Sequence, residues 1–209
     1  MRLQKLGHSC LLVEQATSRL LIDPGCFSSG LEALTGLTGV LVTHVHEDHL
    51  DVDRLQALLE RNPDAQVVCD EASAALLAER GVKGQVVRDG DLLDLGVPVG
   101  VHGSEHAIIH PDLPNIPNVG YLVADRFFYA GDAFMVPDAP VEVLAVPVGA
   151  PWMKMSEAVD YLRRVQPRVA VPVHDYQNVF AEMAYHLFQE LGPAATTVTV
   201  LQAQPPTEV

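Results

Sequence analysis

An α/β fold of four layers, two facing sheets covered on the outside by helices (αββα), is what this 209-residue sequence predicts. Each half of the chain opens with strands suited to antiparallel pairing and continues with strands that alternate with helices. The strands are largely continuous Val/Leu runs, as expected where one face packs on a second sheet and the other on helices. Hydrophobic residues supply 48% and charged residues 19%, enough for a sizeable core. No linker rich in Gly, Ser or charge divides the chain, so a single domain over residues 1–209 is expected.

The first strands are "RLQKL", "CLLVE" and "RLLID", parted by the turn-prone "GHS" and "QATS", with a "DPG" turn ending the third. After a loop through Gly30 and Gly36, "GVLVT" has strand length, and "HLDVDRLQALLERNP" carries Leu55, Leu58 and Leu59 at helical spacing before Pro63 stops it. "QVVCD" is a strand, "EASAALLAER" a helix closed by Gly81 at C′, and "GQVVRDG" a further strand. Strand signals return at "DLLDLG", "VPVGVHG", "NVGYLVAD" and "RFFYAGD", the last two parted by a tight corner. Then come the strand "VEVLAVPV", the helix "SEAVDYLRRV", the strand "RVAVPV", the helix "VFAEMAYHLFQELG" and the strand "TVTVLQ"; "AQPPTEV" reads as a frayed tail.

Charge narrows the partners. With 27 acidic against 13 basic side chains, the formal net charge of −14 repels a phosphate backbone, and no basic groove overrides it, so nucleic acid is not expected as a partner. Arg163, Arg164 and Arg168 read as a solvated face at a helix end. The three cysteines, Cys10, Cys26 and Cys69, lack a C-x-x-C pair and read as small buried hydrophobes. No signal peptide is apparent and no apolar stretch approaches membrane-spanning length, so a cytoplasmic protein is expected.

The chemistry is concentrated in "THVHEDHLD", residues 43–51. His44 and His46 are two apart at the end of an extended segment, so their side chains point the same way, and Asp48 and His49 follow where the chain turns into a helix. Imidazole and carboxylate without thiolate suit Zn²⁺, Mn²⁺ or iron. Four donors do not easily converge on one ion from so short a stretch, so two neighbouring ions fit better. Loops often collect His and Asp, but H-x-H-x-D-H between a buried strand and a helix is too specific a pattern for that account.

This motif resembles the signature of the metallo-β-lactamase-fold hydrolases, whose layout the predicted sandwich matches. "LIDPG" resembles the family's first motif, which implies Asp23 as a carboxylate orienting a ligand or its loop. A later histidine is needed, and "VHGSEHAIIHP" offers His102, His106 and His110; His106 stands just after a strand as the third motif requires, with His110 in reserve and His102 within the strand. "YAGDA" resembles the fourth motif and implies Asp132 as a bridge, and "VPVHD" the fifth, implying His174. The resemblance thus implies His44, His46 and His106 on one ion, Asp48, His49 and His174 on the other, and Asp132 between. Zinc is the foremost expectation, with manganese or iron as alternatives.

The opening "LGHSCLLVE" and the closing "PVHD" look most like the small single-domain UlaG-like branch, which includes a sugar-acid-phosphate lactonase. His8 falls where such proteins often carry a histidine, and is expected beside the ions or the substrate, while Glu47 faces solvent. Of the loop residues, Trp152 with Met153 can roof a pocket, Lys154 can meet an anionic group, and Tyr176 can donate a hydrogen bond to a developing oxyanion. The expected reaction is hydrolysis of a small ester, lactone or phosphodiester by water activated between two divalent ions, with Asp48 orienting the nucleophile or moving a proton. The alternatives implied by the same fold are a mononuclear iron thiol dioxygenase, a metal-dependent nuclease, which the acidic balance disfavours, and a non-catalytic scaffold, which usually lacks ligands. A homo-oligomer is compatible with the sequence, dimers being the commonest closed assembly.

Overall fold

In the computed structural model, which describes residues 1–201 and 205–209, the apolar runs pair into two sheets. The first holds β1 (Arg2–Lys5), β2 (Leu11–Gln15), β3 (Ser18–Ile22), β4 (Gly39–Val42), β5 (Gln66–Cys69) and β6 (Gln85–Val86) in chain order. Strands β1 to β3 are antiparallel, and β3 to β6 run parallel, with helices α1 (Val52–Arg61) and α2 (Glu71–Glu79) in the crossovers. The second sheet repeats the plan. Antiparallel β7 (Leu92–Asp94), β8 (Pro98–His102), β9 (Gly120–Val123) and β10 (Phe127–Tyr129) lead into parallel β11 (Val143–Pro147), β12 (Val169–Val173) and β13 (Thr197–Val198). Helices α3 (Met155–Val165) and α4 (Ala181–Leu191) form its crossovers.

Three apolar clusters define the four layers. Leu11, Val13, Leu20, Ile22 and Leu41 meet Val101, Tyr121, Tyr129, Val143 and Val171 between the sheets. The alternate residues Leu12, Leu21, Val40 and Val42 pack under Leu55, Leu58 and Leu77 of α1 and α2, while Leu144, Val146 and Ala170 pack under Tyr161, Leu162 and Phe188 of α3 and α4. Because both faces of β4, β11 and β12 are buried, these three strands are apolar throughout. The Tyr121 hydroxyl crosses the central core to donate to Val42 O at 2.8 Å, tying one sheet to the other.

Several boundaries differ from the sequence reading. Helix α1 starts at Val52, capped by Asp51, because His49 and Leu50 are spent in a tight turn on the His46 carbonyl. "GQVVRDG" supplies a two-residue strand, and "TVTVLQ" is a strand only at Thr197–Val198, Gln202 lying outside the described residues. The tail is not simply frayed: Thr207–Glu208 form β14, antiparallel to β1 through Leu3↔Thr207 and Arg2↔Glu208, while Ala203 and Gln204 lie outside the described residues. Cys10 and Cys69 are buried, but Cys26 is half-buried, correcting the expectation for that thiol.

Candidate metal centre

The site lies at the carboxyl ends of the strands, where such sheets leave room for ligands. The β4 strand delivers Thr43 and His44, the turn after it carries His46, Asp48 and His49, and the loops after β8, β10 and β12 deliver His106, Asp132 and His174. Three groups form: His44, His46, His106 and Asp132; His49, Asp132 and His174; and His8, Asp48 and His174, with ligand atoms within 4.8 Å of one another in each. Asp132 belongs to two of them. Its Oδ1 is 3.2 Å from His49 Nε2, and its Oδ2 is 3.4 Å from both His106 Nε2 and His174 Nε2.

Hydrogen bonds fix which nitrogen of each ring is available. Thr43 Oγ1 donates its proton to Asp23 Oδ2 (2.7 Å), so it must accept from His44 Nδ1 (3.0 Å). His49 Nδ1 donates to Asp23 Oδ2 (2.6 Å), His106 Nδ1 to Ala107 O (2.5 Å) and His174 Nδ1 to Gly149 O (2.7 Å). All four rings therefore carry a proton on Nδ1 and turn Nε2 inward as the atom available to ligate. His46 presents Nδ1 instead, 3.1 Å from His44 Nε2.

His8 has the opposite tautomer. Its Nδ1 accepts the Tyr176 backbone N–H (3.1 Å), which places the ring proton on Nε2, where it donates to Asp48 Oδ2 (3.2 Å). His8 thus braces Asp48 and has no lone pair to offer an ion, although it stands among the donors.

The donor set fits cations. His49 Nε2, His106 Nε2, His174 Nε2 and Asp132 Oδ1 are buried without a hydrogen-bond partner, a costly arrangement that an ion would relieve. Burial opposes charge on His49 and His174, but Asp132 and Asp23 raise His49 well above its ordinary value, and Asp132 and Asp48 lift His174 to about 9. Burial likewise opposes charge on Asp132, yet the imidazoles of His49, His106 and His174 beside it hold it well below the usual carboxylate range. His44, by contrast, is pushed well below its ordinary value by burial and by His49. The carboxylates therefore demand positive charge at the points where ligand atoms converge.

Three residues of the site are strained in the backbone: His8, Asp23 and His174 have φ of 37°, 49° and 61°, a region side chains rarely adopt. Two glycines bring the elements together. A Cβ on Gly25, of the "DPG" turn, would stand 2.0 Å from Asp48 O, and one on Gly131 would stand 2.3 Å from Asn118 Oδ1.

Of the other sequence candidates, Trp152 is half-buried and its Nε1–H donates to Asp132 Oδ2 at 2.8 Å. Tyr176 stacks on Phe27 at 4.3 Å between centroids and is 46% exposed. His110 is exposed at the rim of a cavity, His102 ends β8 against Phe128, and Lys154 is exposed at the start of α3, outside the residues that line the cavity. Sequence reasoning missed Thr43, Asn118, Phe27 and the carbonyls of Ala107 and Gly149. Only Thr43 had a signal, a hydroxyl directly preceding the first histidine of the motif.

The family model described as beta-lactamase superfamily domain matches residues 2–174. Protein Rv0786c of Mycobacterium tuberculosis is 51% identical over 95% of this chain and 100% of its own length. A UPF0173 protein of Pyrococcus furiosus is 31% identical over 83% of each chain, and a UPF0173 metal-dependent hydrolase of Methanocaldococcus jannaschii is 26% identical over 80% of this chain and 81% of its own. Among solved structures, Igni18, a metallo hydrolase from Ignicoccus hospitalis, superposes with a TM-score of 0.75 at 19% identity, covering 99% of this chain and 97% of that one. CmlA, a diiron beta-hydroxylase from Streptomyces venezuelae, gives 0.79 at 16%, covering all of this chain and 54% of that one.

Proposed function

This chain belongs to the beta-lactamase superfamily, and from that premise we propose that it is a metal-dependent hydrolase of a small ester, lactone or phosphodiester, working with two divalent ions. The observation that carries the reading is the set of buried, partnerless donors, three imidazole Nε2 atoms and one Asp132 oxygen, aimed at common points. His44, His46 and His106 would hold one ion, Asp48, His49 and His174 the other, and Asp132 both, with zinc first and manganese or iron next as fits for nitrogen and oxygen donors. Such ions, when bound, lower the pKa of water from 15.7 to about 7 and polarise the oxygen of the scissile group.

The chain's own residues do the rest. Asp48 is half-buried, and its Oδ2 sits between the His8 donor and His174 Nε2 (3.3 Å), placed to take a proton from the attacking water and return it to the leaving group. Asp23 and Thr43 keep His44 and His49 in the tautomer that ligates, and the Tyr176 hydroxyl is the candidate donor to the developing oxyanion. The one-domain length, "LGHSCLLVE" and "PVHD" support the small UlaG-like branch. Among the described residues no helix is long and apolar enough to cross a membrane; a cytoplasmic enzyme is part of this reading, and the acidic balance supports a small-molecule substrate rather than nucleic acid.

The test is elemental analysis of the purified protein beside His46→Ala. About two zinc or manganese ions per chain, reduced in the variant together with hydrolysis of model esters, is the expected result. One iron per chain with thiol-dependent oxygen uptake would replace the hydrolase by an iron dioxygenase, a reading the thiolate-free donor set also suits.

A further inference from the structure

We infer that the cavity beside His46 and His106 binds the hydrocarbon part of an uncharged ester or lactone, so that the substrate is an aliphatic acyl compound and not a phosphodiester. This rests on the hydrolase reading and narrows it. The cavity encloses about 410 Å³ and opens directly onto two of the proposed ligands, so whatever fills it continues the group being cleaved. Its remaining wall is residues 108–111 and 113–116, where Ile108, Ile109, Leu113 and Ile116 supply apolar surface, Pro111 and Pro114 stiffen the loop, and His110 and Asn115 are the polar members.

Two observations choose the occupant. Ile108, Ile109 and Leu113 are 66%, 41% and 55% exposed, large aliphatic side chains held in water next to the metal centre, where none contributes to the core. No lysine or arginine lines the cavity. Many of the chain's cations are engaged elsewhere: Arg2 and Arg19 with Glu14, Arg126 and Arg168 with Glu142, Arg80 with Asp53, Arg88 with Glu71, and Lys5 with Asp175. A phosphodiester would bring its charge to a protein of net charge −14, and beyond the ions themselves the cavity wall offers it only the imidazole of His110 and the amide of Asn115. An acyl chain brings no charge.

The step balances without a further reactant. The oxygen of water bonds to the carbonyl carbon, the acyl carbon–oxygen bond breaks, the leaving oxygen takes a proton, and the acid departs as carboxylate and a second proton.

The experiment compares p-nitrophenyl acetate, p-nitrophenyl hexanoate and bis(p-nitrophenyl) phosphate with the metal-loaded protein, alongside Leu113→Lys and Ile108→Lys, whose exposed positions tolerate lysine. Each buried methylene is worth about fourfold in affinity, so a preference of at least about tenfold for hexanoate over acetate is expected, collapsing in both variants. Saturation-transfer NMR with 1-hexanol and with dimethyl phosphate reads the cavity without turnover: hexanol is expected to bind the wild type and not Leu113→Lys, and dimethyl phosphate to bind neither. Hydrolysis that ignores chain length, or that favours the phosphodiester, overturns the inference and leaves the hydrolase standing. Hexanol binding in a protein that cleaves none of the three substrates keeps the cavity's assignment to a hydrocarbon and overturns the hydrolase reading. Absence of hexanol binding overturns the inference whatever the turnover.

Discussion

Asp132 stands where the two nitrogen groups meet, so whatever orients its carboxylate orients the centre. Its backbone N–H is held by Asn118 Oδ1 at 3.1 Å, and its Oδ2 accepts the indole N–H of Trp152 at 2.8 Å. Hydrogen bonds behind ligating groups typically govern metal affinity by about 10–100-fold. Trp152→Phe keeps the ring that edges His106 and Phe134 while deleting only the donor. The variant is expected to bind metal at least about tenfold more weakly than the wild type, as measured by equilibrium dialysis and elemental analysis. Trp152 is the chain's one tryptophan, so the intrinsic fluorescence of the wild type should change on metal titration and level off at the bound stoichiometry. Fluorescence that stays constant while dialysis shows metal bound would break the link between indole and centre.

At the scale of elements, the centre depends on a "DPG" turn pressed against the turn of the histidine motif. Gly25 N donates to Asp23 O, Cys26 N donates to Glu47 O, and there is no room for a Cβ at Gly25 beside the Asp48–His49 peptide. Gly25→Ala forces the two turns apart and, as overpacking, should cost about 1–3 kcal/mol, read as a lower urea midpoint. Loss of bound metal should accompany it, because Asp48 and His49 ride on the displaced peptide; full metal content in the variant would show that the turns are independent. This coupling was legible in part. The four donors of residues 44–49 could be read because they occupy one strand end, and the sandwich because burial on both faces leaves Val and Leu at consecutive positions. Strand β14 could not: "PPTEV" has no apolar alternation, and its pairing depends on the free edge of β1, some 200 residues away in sequence. The tautomer of His8 was equally hidden, since a backbone N–H from the far end of the chain sets it.

For the molecule as a whole, the parallel strands separate two ends with different work. Asp132, Gly149 and His174 follow the carboxyl ends of β10, β11 and β12, while Arg126, Glu142 and Arg168 precede their amino ends. There Glu142 accepts from Arg126 Nε at 2.5 Å and from Arg168 Nη2 at 2.8 Å, binding the three strand starts to one another. Those two guanidiniums lower the Glu142 carboxyl from 4.5 to about 2. A depressed carboxylate contributes stability that is fully present above its unfolded value and is lost as pH falls through its folded one. The network is solvent-accessible, so its share is at most about 1 kcal/mol. Glu142→Gln should therefore lower the urea midpoint slightly at pH 6, and the gap from the wild type should close as pH falls from 4.5 toward 2. At neutral pH the variant should retain its full metal content, because the perturbed end lies at the opposite ends of the same strands. A gap independent of pH would show that the carboxylate's charge is not what joins the strands. Loss of metal at neutral pH would mean that strand register, and not only the loops that follow the strands, holds the centre in place.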